Sequence, residues 1–352
     1  MRTTTAWQSR DTSTGLERAA IERRELRADD IAVRVDFCGV CHSDLHALHG
    51  LVGKPTDGLV PGHEFTGTVS ELGSAVTGFA VGDRVAVGTI VDSCGECAMC
   101  RVGQENYCLN GVVTTYGGTD RIDGSTTMGG YSREYVVRAD FAYPLPEGLD
   151  AAAAAPLMCA GITVWEPLRA AGVGAGSRVA VAGLGGVGHL GVKFAAALGA
   201  EVTVLSRTPG KGDDARALGA VGLLDTTDEA QLAQASGRFD FILDTISAPH
   251  DLAPLIGLLG LDGTLSVVGL PMPTEVPLML LTRGRRKLTS SGTGGRRGTA
   301  EMLAFAAEHG ITADIELVPS AEVATALDRL ERGDVRYRFV LDLADLDAPA
   351  TV

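Results

Sequence analysis

Apolar and polar positions along the first 150 residues follow the short-period patterns that are typical of β-strands. Short alternating or apolar runs are separated by turn signals such as Val81–Asp83. The runs cover residues 31–37, 65–72, 84–91 and 135–137. The sequence therefore predicts that the first part of the chain consists mainly of strands and loops.

The pattern changes at the alanine-rich run Ala151–Ala155, and from Ser177 onward strand-like and helical segments alternate. The predicted strands cover residues 177–183, 201–206, 238–244 and 263–269. The predicted helices cover residues 162–171, 186–198, 213–218 and 251–259. Because strands that are connected through helices run parallel in one sheet, this order predicts an α/β region with a doubly wound parallel sheet.

The last part of the chain returns to a mixed pattern. Two helices and a final strand are predicted at residues 300–309, 321–330 and 337–343. The simplest arrangement returns this tail to the first domain, so that the α/β region is an insertion. We therefore predict one domain of residues 1–156 and 293–352, and a second domain of residues 157–292.

Composition and charge narrow the possible functions. The chain has 352 residues, of which 45% are hydrophobic. A chain of this size has more hydrophobic residues than one core usually contains, so two domains are expected. The net charge of −14 disfavours a nucleic-acid partner, because an acidic surface repels phosphate backbones. An uninterrupted apolar run long enough for a membrane span is absent, and Met1–Arg10 is polar, so we expect no membrane span, no signal peptide and a cytoplasmic protein.

Four of the seven cysteines form a compact C-x2-C-x2-C-x7-C motif. They are Cys94, Cys97, Cys100 and Cys108. Four thiolates this close in sequence can form a closed tetrahedral shell around zinc, which leaves no coordination position for a substrate and predicts a structural ion. Two alternatives remain: free core cysteines, or an iron–sulfur cluster whose usual C-x2-C-x2-C-x3-C-P spacing is absent.

The remaining metal-binding residue types are spread along the chain. Cys41 lies in CGVCHSD, His63 in PGHE and Cys159 in PLMCAGIT. Two cysteines and one histidine leave a fourth position of zinc free for water or substrate, which is a catalytic arrangement. Each residue is a weak signal alone, because single cysteines and histidines are often core residues. We interpret Cys38, which pairs with Cys41 as C-x2-C, as a small buried side chain.

A glycine-rich sequence follows the first strand of the α/β region and begins a helix. Residues 183–188, GLGGVG, satisfy the G-x-G-x-x-G fingerprint of a dinucleotide site. Gly183 permits a tight turn, Gly185 lets the backbone approach a pyrophosphate, and Gly188 permits close packing of helix and strand. Gly186 and Val187 open the helix, whose free N–H groups favour phosphate.

The second strand of the α/β region is followed by Ser206, Arg207 and Thr208, and then by Lys211. A site that prefers NAD places Asp or Glu here to bind the ribose 2′-hydroxyl. Hydroxyl groups and cations instead attract a 2′-phosphate, so the sequence favours NADP(H) over NAD(H). The alternative is that Arg207 and Lys211 belong to a solvated helix start.

Taken together and in this order, these motifs resemble the zinc-containing medium-chain dehydrogenase/reductase family. The segments MGGYSREYVV, APLMCAGITVW and GDVRYRFVLD are similar to its cinnamyl-alcohol-dehydrogenase-like branch. The resemblance extends from about residue 30 to residue 343. It implies a GroES-like, mainly β catalytic domain and a Rossmann domain, and it implies a homodimer or homotetramer. The predicted sheet edge near Lys287–Ser291 is compatible with pairing between copies.

The resemblance also implies the ligands of a catalytic zinc. They are Cys41, His63 and Cys159, with Glu64 close to the metal as a further, transient ligand. Asp44 matches the carboxylate that holds the ligand histidine by its other ring nitrogen. An alternative reading of Asp44 is a residue that caps a loop.

The resemblance implies four further roles. Ser43 matches the hydroxyl that touches the substrate oxygen, and His46 matches the histidine that receives the proton. Thr163 matches a threonine beside the nicotinamide, and His42 occupies a position that faces the pyrophosphate. Simpler readings are a turn residue for Ser43 and a surface histidine for His46.

The resulting expectation is an NADP-dependent alcohol dehydrogenase with two zinc ions per chain, one catalytic and one structural. It would transfer hydride reversibly between NADP(H) and a zinc-bound primary alcohol or aldehyde, over a broad substrate range. Aromatic residues make up 5% of the chain, so an aromatic cage for a phenylpropanoid ring is not evident. One alternative is an NAD-dependent polyol or other secondary-alcohol dehydrogenase, against which Cys159 and Ser206 argue. A distant alternative is a non-enzymatic zinc-binding scaffold.

Overall fold

The computed structural model describes residues 1–10, 15–51, 58–269 and 275–347, and the chain divides into two compact units. The first unit consists of Met1–Cys159 and Gly295–Val352, and the second of Ala160–Gly294. The second unit is therefore inserted into the sequence of the first. Its boundaries fall three residues after the predicted start of the α/β domain and two residues after its predicted end.

The regular elements have the following bounds. The strands are β1 (Arg2–Ser9), β2 (Leu16–Arg23), β3 (Asp30–Gly39), β4 (Phe65–Leu72), β5 (Arg84–Val87), β6 (Ile90–Asp92), β7 (Val113–Thr114), β8 (Glu134–Arg138), β9 (Ala142–Pro144), β10 (Arg178–Ala182), β11 (Glu201–Ser206), β12 (Gly222–Asp225), β13 (Phe239–Asp244), β14 (Leu259–Val267), β15 (Lys287–Ser290), β16 (Ile315–Pro319) and β17 (Arg338–Asp342). The helices are α1 (His42–Leu48), α2 (Ala98–Arg101), α3 (Ala151–Ala154), α4 (Ala160–Ala170), α5 (Gly188–Ala197), α6 (Gly212–Ala217), α7 (Glu229–Gln234), α8 (Ala253–Leu258), α9 (Met279–Thr282), α10 (Arg296–His309) and α11 (Val323–Glu331). Short 3₁₀ turns lie at Glu105–Tyr107, Ala139–Phe141, Ala155–Met158, Pro209–Lys211, Ser320–Glu322 and Ala344–Asp347.

The first unit is built on a mixed sheet with the strand order β16-β17-β3-β4-β5-β9, and β8 also pairs with β3. The long strand β3 is buried on both faces from Asp30 to Val33 and again at Val35, whereas Arg34 is exposed. A strand that lies inside a sheet and is covered on both faces has this pattern. Since β17 pairs with both β3 and β16, the last strand of the described residues lies inside the sheet, next to its edge.

The second unit contains a parallel sheet with the order β12-β11-β10-β13-β14-β15. The chain enters at β10, moves outward to β12, and then returns to β13 on the other side of β10. The carboxyl ends of β10 and β13 therefore define a topological switch point, where ligands bind in sheets of this kind. The central strands are apolar on both faces, as a doubly covered parallel sheet demands.

Several elements differ from the sequence prediction. The hairpin β1–β2 was not predicted, because its strands are mostly polar and are held by pairing with each other from Arg2↔Arg23 to Ser9↔Leu16. The predicted strand 84–91 is two strands, β5 and β6, because the chain bends at Thr89 and pairing is interrupted at residues 88–89. A Cβ at Gly88 would lie 2.9 Å from the carbonyl oxygen of Met158.

In the described ranges, no single helix is both long and apolar enough to cross a membrane. The neighbouring segments Ala151–Met158 and Ala160–Ala170 together have the required length and composition, but they are separated by a bend. Most of their residues are buried within the protein.

Candidate active site

Three predicted ligands from three separate segments of the first unit converge on one point. Cys41 lies between β3 and α1, His63 precedes β4, and Cys159 follows the 3₁₀ turn Ala155–Met158. Their ligand atoms all lie within 4.8 Å of one another, and His63 Nε2 is 3.2 Å from Cys159 Sγ. We call these residues the three-residue cluster. Two sulfurs and one imidazole nitrogen fit a tetrahedral zinc ion that keeps its fourth position free.

Asp44 holds this cluster in place with a fully buried carboxylate, each oxygen of which accepts two hydrogen bonds. One oxygen accepts the Nδ1–H of His63 at 3.1 Å and the N–H of Gly62 at 3.0 Å. The other accepts the N–H of Cys41 at 3.0 Å and the hydroxyl of Tyr131 at 3.2 Å. With the proton held on Nδ1, the lone pair of Nε2 is directed away from Asp44 and is available to a metal. The contact that was predicted between Asp44 and His63 is therefore present.

The two thiols of the cluster differ in acidity. A hydrogen bond from Cys159 lowers the pKa of Cys41 well below its usual range, and the same contact raises the pKa of Cys159. The contact between the two sulfurs therefore favours the thiolate form, which binds metal, at Cys41 over Cys159. Binding of zinc would displace the remaining thiol proton, so the affinity for the metal rises with pH.

Glu64 lies next to the cluster but is not part of it. Its Oε1 forms a fully buried ion pair with Arg338, on β17, whereas its Oε2 has no hydrogen-bond partner. Burial raises the pKa of Glu64 to about 8, against the opposing effect of Arg338. The described geometry therefore shows Glu64 bound to an arginine rather than among the ligand atoms, because Arg338 occupies one of its oxygens.

The four predicted structural cysteines also converge. The Sγ atoms of Cys94, Cys97, Cys100 and Cys108 lie within 4.8 Å of one another. Backbone N–H groups of Cys100 and Leu109 lower the pKa of Cys97 to about 6, whereas burial raises the pKa of Cys100 to about 11. N–H groups that point at sulfur in a short loop stabilise thiolates, so this four-cysteine cluster fits a closed zinc site.

Cys38 lies outside both clusters. It is completely buried, and burial raises the pKa of its thiol well above the usual value. Its Sγ is 2.8 Å from the position that a Cβ at Gly62 would occupy. Cys38 is therefore a small core side chain, as the sequence analysis predicts.

The glycine loop has the geometry that its sequence predicts. Gly183 has a φ of +88°, which favours glycine, and it follows β10 directly. A Cβ at Gly188 would collide with the carbonyl oxygen of Gly183, so that position requires glycine. A Cβ at Gly185 would meet nothing within 4 Å, so the backbone there faces open space that a ligand can approach.

Ser206 and its neighbours lie at the carboxyl end of β11 in the second unit. The Ser206 hydroxyl accepts the N–H of Thr208 at 3.0 Å, and Arg207 is exposed. The Lys211 ammonium donates to the carbonyl oxygen of Leu184 at 3.1 Å, so this cation lies against the glycine loop. Hydroxyl groups and cations rather than carboxylates are thus gathered where the adenosine ribose of a dinucleotide binds in such folds.

The remaining predicted residues occupy α1 and α4. His42, Ser43 and His46 lie on α1, where the rings of His42 and His46 have centroids 6.5 Å apart. The Ser43 hydroxyl is 3.7 Å from Cys41 Sγ, within hydrogen-bond distance of a sulfur, which brings Ser43 to the three-residue cluster. The nearly buried hydroxyl of Thr163, on α4, donates to the carbonyl oxygen of Gly292 at 3.0 Å.

The sequence analysis assigned no role to Arg338, Tyr131 or Tyr116. Arg338 neutralises Glu64, Tyr131 donates to Asp44, and Tyr116 packs the edge of its ring against His63 with the ring centroids 5.6 Å apart. A signal for Arg338 existed, because an arginine in the apolar strand YRFVLDL needs a buried partner of opposite charge. Nothing in the sequence indicated which carboxylate that partner is.

Comparison with known proteins agrees with this geometry. Residues 27–147 match the alcohol dehydrogenase GroES-like domain, and residues 186–308 match the zinc-binding dehydrogenase family. The chain is 46% identical over 342 residues to a probable cinnamyl alcohol dehydrogenase of Arabidopsis thaliana, which covers 96% of this chain and 94% of that relative. It is 46% identical over 348 residues to an NADP-dependent alcohol dehydrogenase of Mycolicibacterium smegmatis, with 98% and 99% covered.

Its fold is similar to that of a solved cinnamyl alcohol dehydrogenase from Sorghum bicolor, with a TM-score of 0.93, 44% sequence identity, and 97% and 98% of the two chains covered. The chain therefore belongs to the zinc-containing medium-chain dehydrogenase/reductase family, and it is an alcohol dehydrogenase. Within that family it is a member of the cinnamyl-alcohol-dehydrogenase-like branch. The predicted family and the predicted α/β fold class, with GroES-like and Rossmann parts, are both confirmed.

Proposed function

We propose that the protein is an NADP(H)-dependent dehydrogenase that interconverts primary alcohols and aldehydes over a broad substrate range, with one catalytic and one structural zinc ion per chain. The observation that carries the proposal is the convergence of Cys41, His63 and Cys159 within 4.8 Å. A zinc ion held there would act as a Lewis acid on the substrate oxygen. The four-cysteine cluster would hold the second ion, without an open position.

The residues around the cluster would prepare it for this chemistry. Asp44 fixes the His63 tautomer, so that Nε2 presents its lone pair to the metal. Arg338 offsets the charge of Glu64, which would otherwise add to the two thiolates and weaken a Lewis acid. Ser43, beside Cys41, would hold the proton that the alcohol gives up, and His46 would pass it to solvent.

A bound nicotinamide would accept hydride from an alcohol or donate it to an aldehyde. The preference for NADP(H) is supported by the residues after β11. Ser206, Arg207, Thr208 and Lys211 offer hydroxyl groups and two cations, and a carboxylate that would repel a 2′-phosphate is absent from this run. The similarity to a relative named as NADP-dependent points in the same direction. Thr163 and His42 are proposed to contact the nicotinamide and the pyrophosphate.

A panel of aldehydes tests the reaction directly. The purified protein is assayed by NADPH oxidation at saturating aldehyde, then with NADH, and each assay is repeated after dialysis against a chelator. We expect turnover of several unrelated aldehydes with NADPH, loss of turnover with the chelator, and two zinc ions per chain by metal analysis. Turnover that survives complete removal of zinc would contradict the proposed role of the three-residue cluster.

We further propose that two copies of the chain associate through the sheet of the second unit. The edge strand β15 is exposed along its whole length, and Leu261, Leu278 and Met279 of the same unit are each about 70% exposed. An exposed strand edge accompanied by apolar side chains favours pairing with a second copy.

Replacement of Leu288, on β15, by lysine tests this assembly. Leu288→Lys places a charge on the exposed edge, and we expect the molar mass from light scattering to fall from that of a dimer or tetramer to that of the 36.4 kDa chain. The control is Val221→Lys, an equally apolar exposed position beside β12 at the opposite edge of the same sheet. A wild-type protein that already has the mass of one chain would refute the assembly.

A further inference from the structure

Asp244 and His250 form a pair at the carboxyl end of β13. Asp244 is fully buried, and the side chain of His250 is 19% exposed. His250 Nε2 lies 3.0 Å from Asp244 Oδ2, and His250 Nδ1 lies 2.9 Å from the carbonyl oxygen of Ala248. The segment 245–249, between the two partners, is thus closed into a loop by side-chain contacts at both ring nitrogens.

The two ring contacts of His250 fix the orientation of its imidazole. Nδ1 faces the carbonyl oxygen of Ala248, which can only accept, so Nδ1 donates to it. Nε2 shares a hydrogen bond with Asp244 Oδ2. The N–H of Ile246 donates to the second oxygen of Asp244 at 3.1 Å, so both oxygens of this buried carboxyl group have a partner. Burial raises the pKa of Asp244, so the group depends on these hydrogen bonds.

The loop closed by this pair packs against the glycine fingerprint. The N–H and the hydroxyl of Thr245 both donate to the carbonyl oxygen of Ala182, at 3.0 and 2.8 Å. A Cβ at Gly183 would lie 2.9 Å from Thr245 Oγ1 and 3.1 Å from Ile246 Cγ1. The first turn of the G-x-G-x-x-G loop therefore has the segment 245–249 as one of its walls, at the switch point between β10 and β13.

We propose that His250, through its hydrogen bonds to Asp244 and Ala248, is a positioning residue for the dinucleotide. These hydrogen bonds hold the segment 245–249 in the conformation that supports the Gly183 turn, and so prepare the glycine loop to receive the pyrophosphate before the cofactor arrives. This inference rests on the proposed dinucleotide dependence. It concerns the part of the site that NADPH and NADH share, because β13 and β11 flank β10 on opposite sides.

The test is the affinity of the zinc-loaded protein for NADPH and for NADH, measured by the fluorescence of the bound cofactor with no aldehyde present. In His250→Gln, one amide replaces the two ring nitrogens, and we expect both dissociation constants to rise by about tenfold, the equivalent of about 1.4 kcal/mol. Asp244→Asn should act in the same direction. The KM for NADPH should rise in parallel, while kcat at saturating NADPH and the zinc content stay at the wild-type values.

The control variant is His309→Gln. His309 is also a surface histidine, stacked on Phe305 and with Nδ1 donating to the carbonyl oxygen of Phe305 at 3.1 Å, but it lies on α10 in the first unit. Its replacement should leave both dissociation constants unchanged. An imidazole ¹H–¹⁵N spectrum of the wild-type protein should show a hydrogen-bonded proton on Nδ1 of His250, with the ring assigned through its nuclear Overhauser contacts to residues 244–248.

Wild-type affinities in a folded His250→Gln, or a His250 ring without a proton on Nδ1, would overturn the inference. The spectrum is both measured and assigned on the wild-type protein, so it decides the question even if the variants do not fold. A wild-type protein that binds neither NADPH nor NADH would overturn the proposed function and this inference together, which is a different result from unchanged variants.

Discussion

Replacement of Cys159 by alanine should lower kcat/KM for aldehyde reduction by roughly 1,000-fold, which corresponds to about 4 kcal/mol of lost transition-state stabilisation. The reason is that Cys159 supplies one of three ligand atoms that lie within 4.8 Å of one another, and two remaining ligands hold zinc weakly. Metal analysis should show one zinc ion per chain instead of two. The melting temperature should change little, because the four-cysteine cluster is intact.

Two comparison variants make this result specific. Cys38→Ala removes another buried cysteine near Gly62, which lies outside both clusters, and should keep two zinc ions and near wild-type turnover. Cys100→Ser should lose the other zinc ion and lower the melting temperature, because a closed site of this type contributes to folding. Full turnover by Cys159→Ala with two zinc ions bound would show that the three-residue cluster is not the catalytic site.

The second large effect is expected from Ser206→Asp. The new carboxylate lies at the end of β11, where it repels a 2′-phosphate and can bind a ribose 2′-hydroxyl. We expect the ratio of kcat/KM with NADPH to kcat/KM with NADH to fall by roughly 100-fold, or about 2.7 kcal/mol. Initial rates with each cofactor at a fixed aldehyde concentration measure this ratio.

Ser236→Asp is the matched control for the cofactor experiment. Ser236 is exposed in the same unit and receives the same change of charge, but it precedes β13 and so lies at the amino end of the sheet. The ratio of kcat/KM with NADPH to kcat/KM with NADH in Ser236→Asp should equal that of the wild-type protein. If Ser206→Asp also retains the wild-type ratio, the residues after β11 do not determine the cofactor, and the NADP(H) proposal loses its structural support.

Local sequence patterns predicted those parts of the site whose residues lie close together in the sequence. The four cysteines from Cys94 to Cys108 and the glycines from Gly183 to Gly188 are close in sequence, so spacing alone indicated their geometry. The three-residue cluster spans positions 41 to 159, and no spacing rule connects such residues. Its members were predicted together because the order of motifs resembles a family, and their proximity is evident only from the fold.

Contacts between distant strands were beyond the reach of sequence patterns. Arg338 and Glu64 meet because β17 and β4 flank β3 in one sheet, and the register of those strands decides the pairing. His250 is a single histidine after a strand and belongs to no motif, so the sequence gives no basis for predicting a role for it. The role proposed for His250 depends on two oxygen atoms, of Ala248 and Asp244, that contact its ring because of the loop conformation.

The insertion of the second unit into the first has a consequence for the order of folding during synthesis. The ribosome delivers Ala160–Gly294 before it makes β17, which extends the sheet of the first unit by pairing with β3. The second unit can thus fold early, but Arg338, the partner of Glu64, is made only after that unit is complete. Until residue 338 is made, Glu64 lacks the counter-ion that it has in the folded protein.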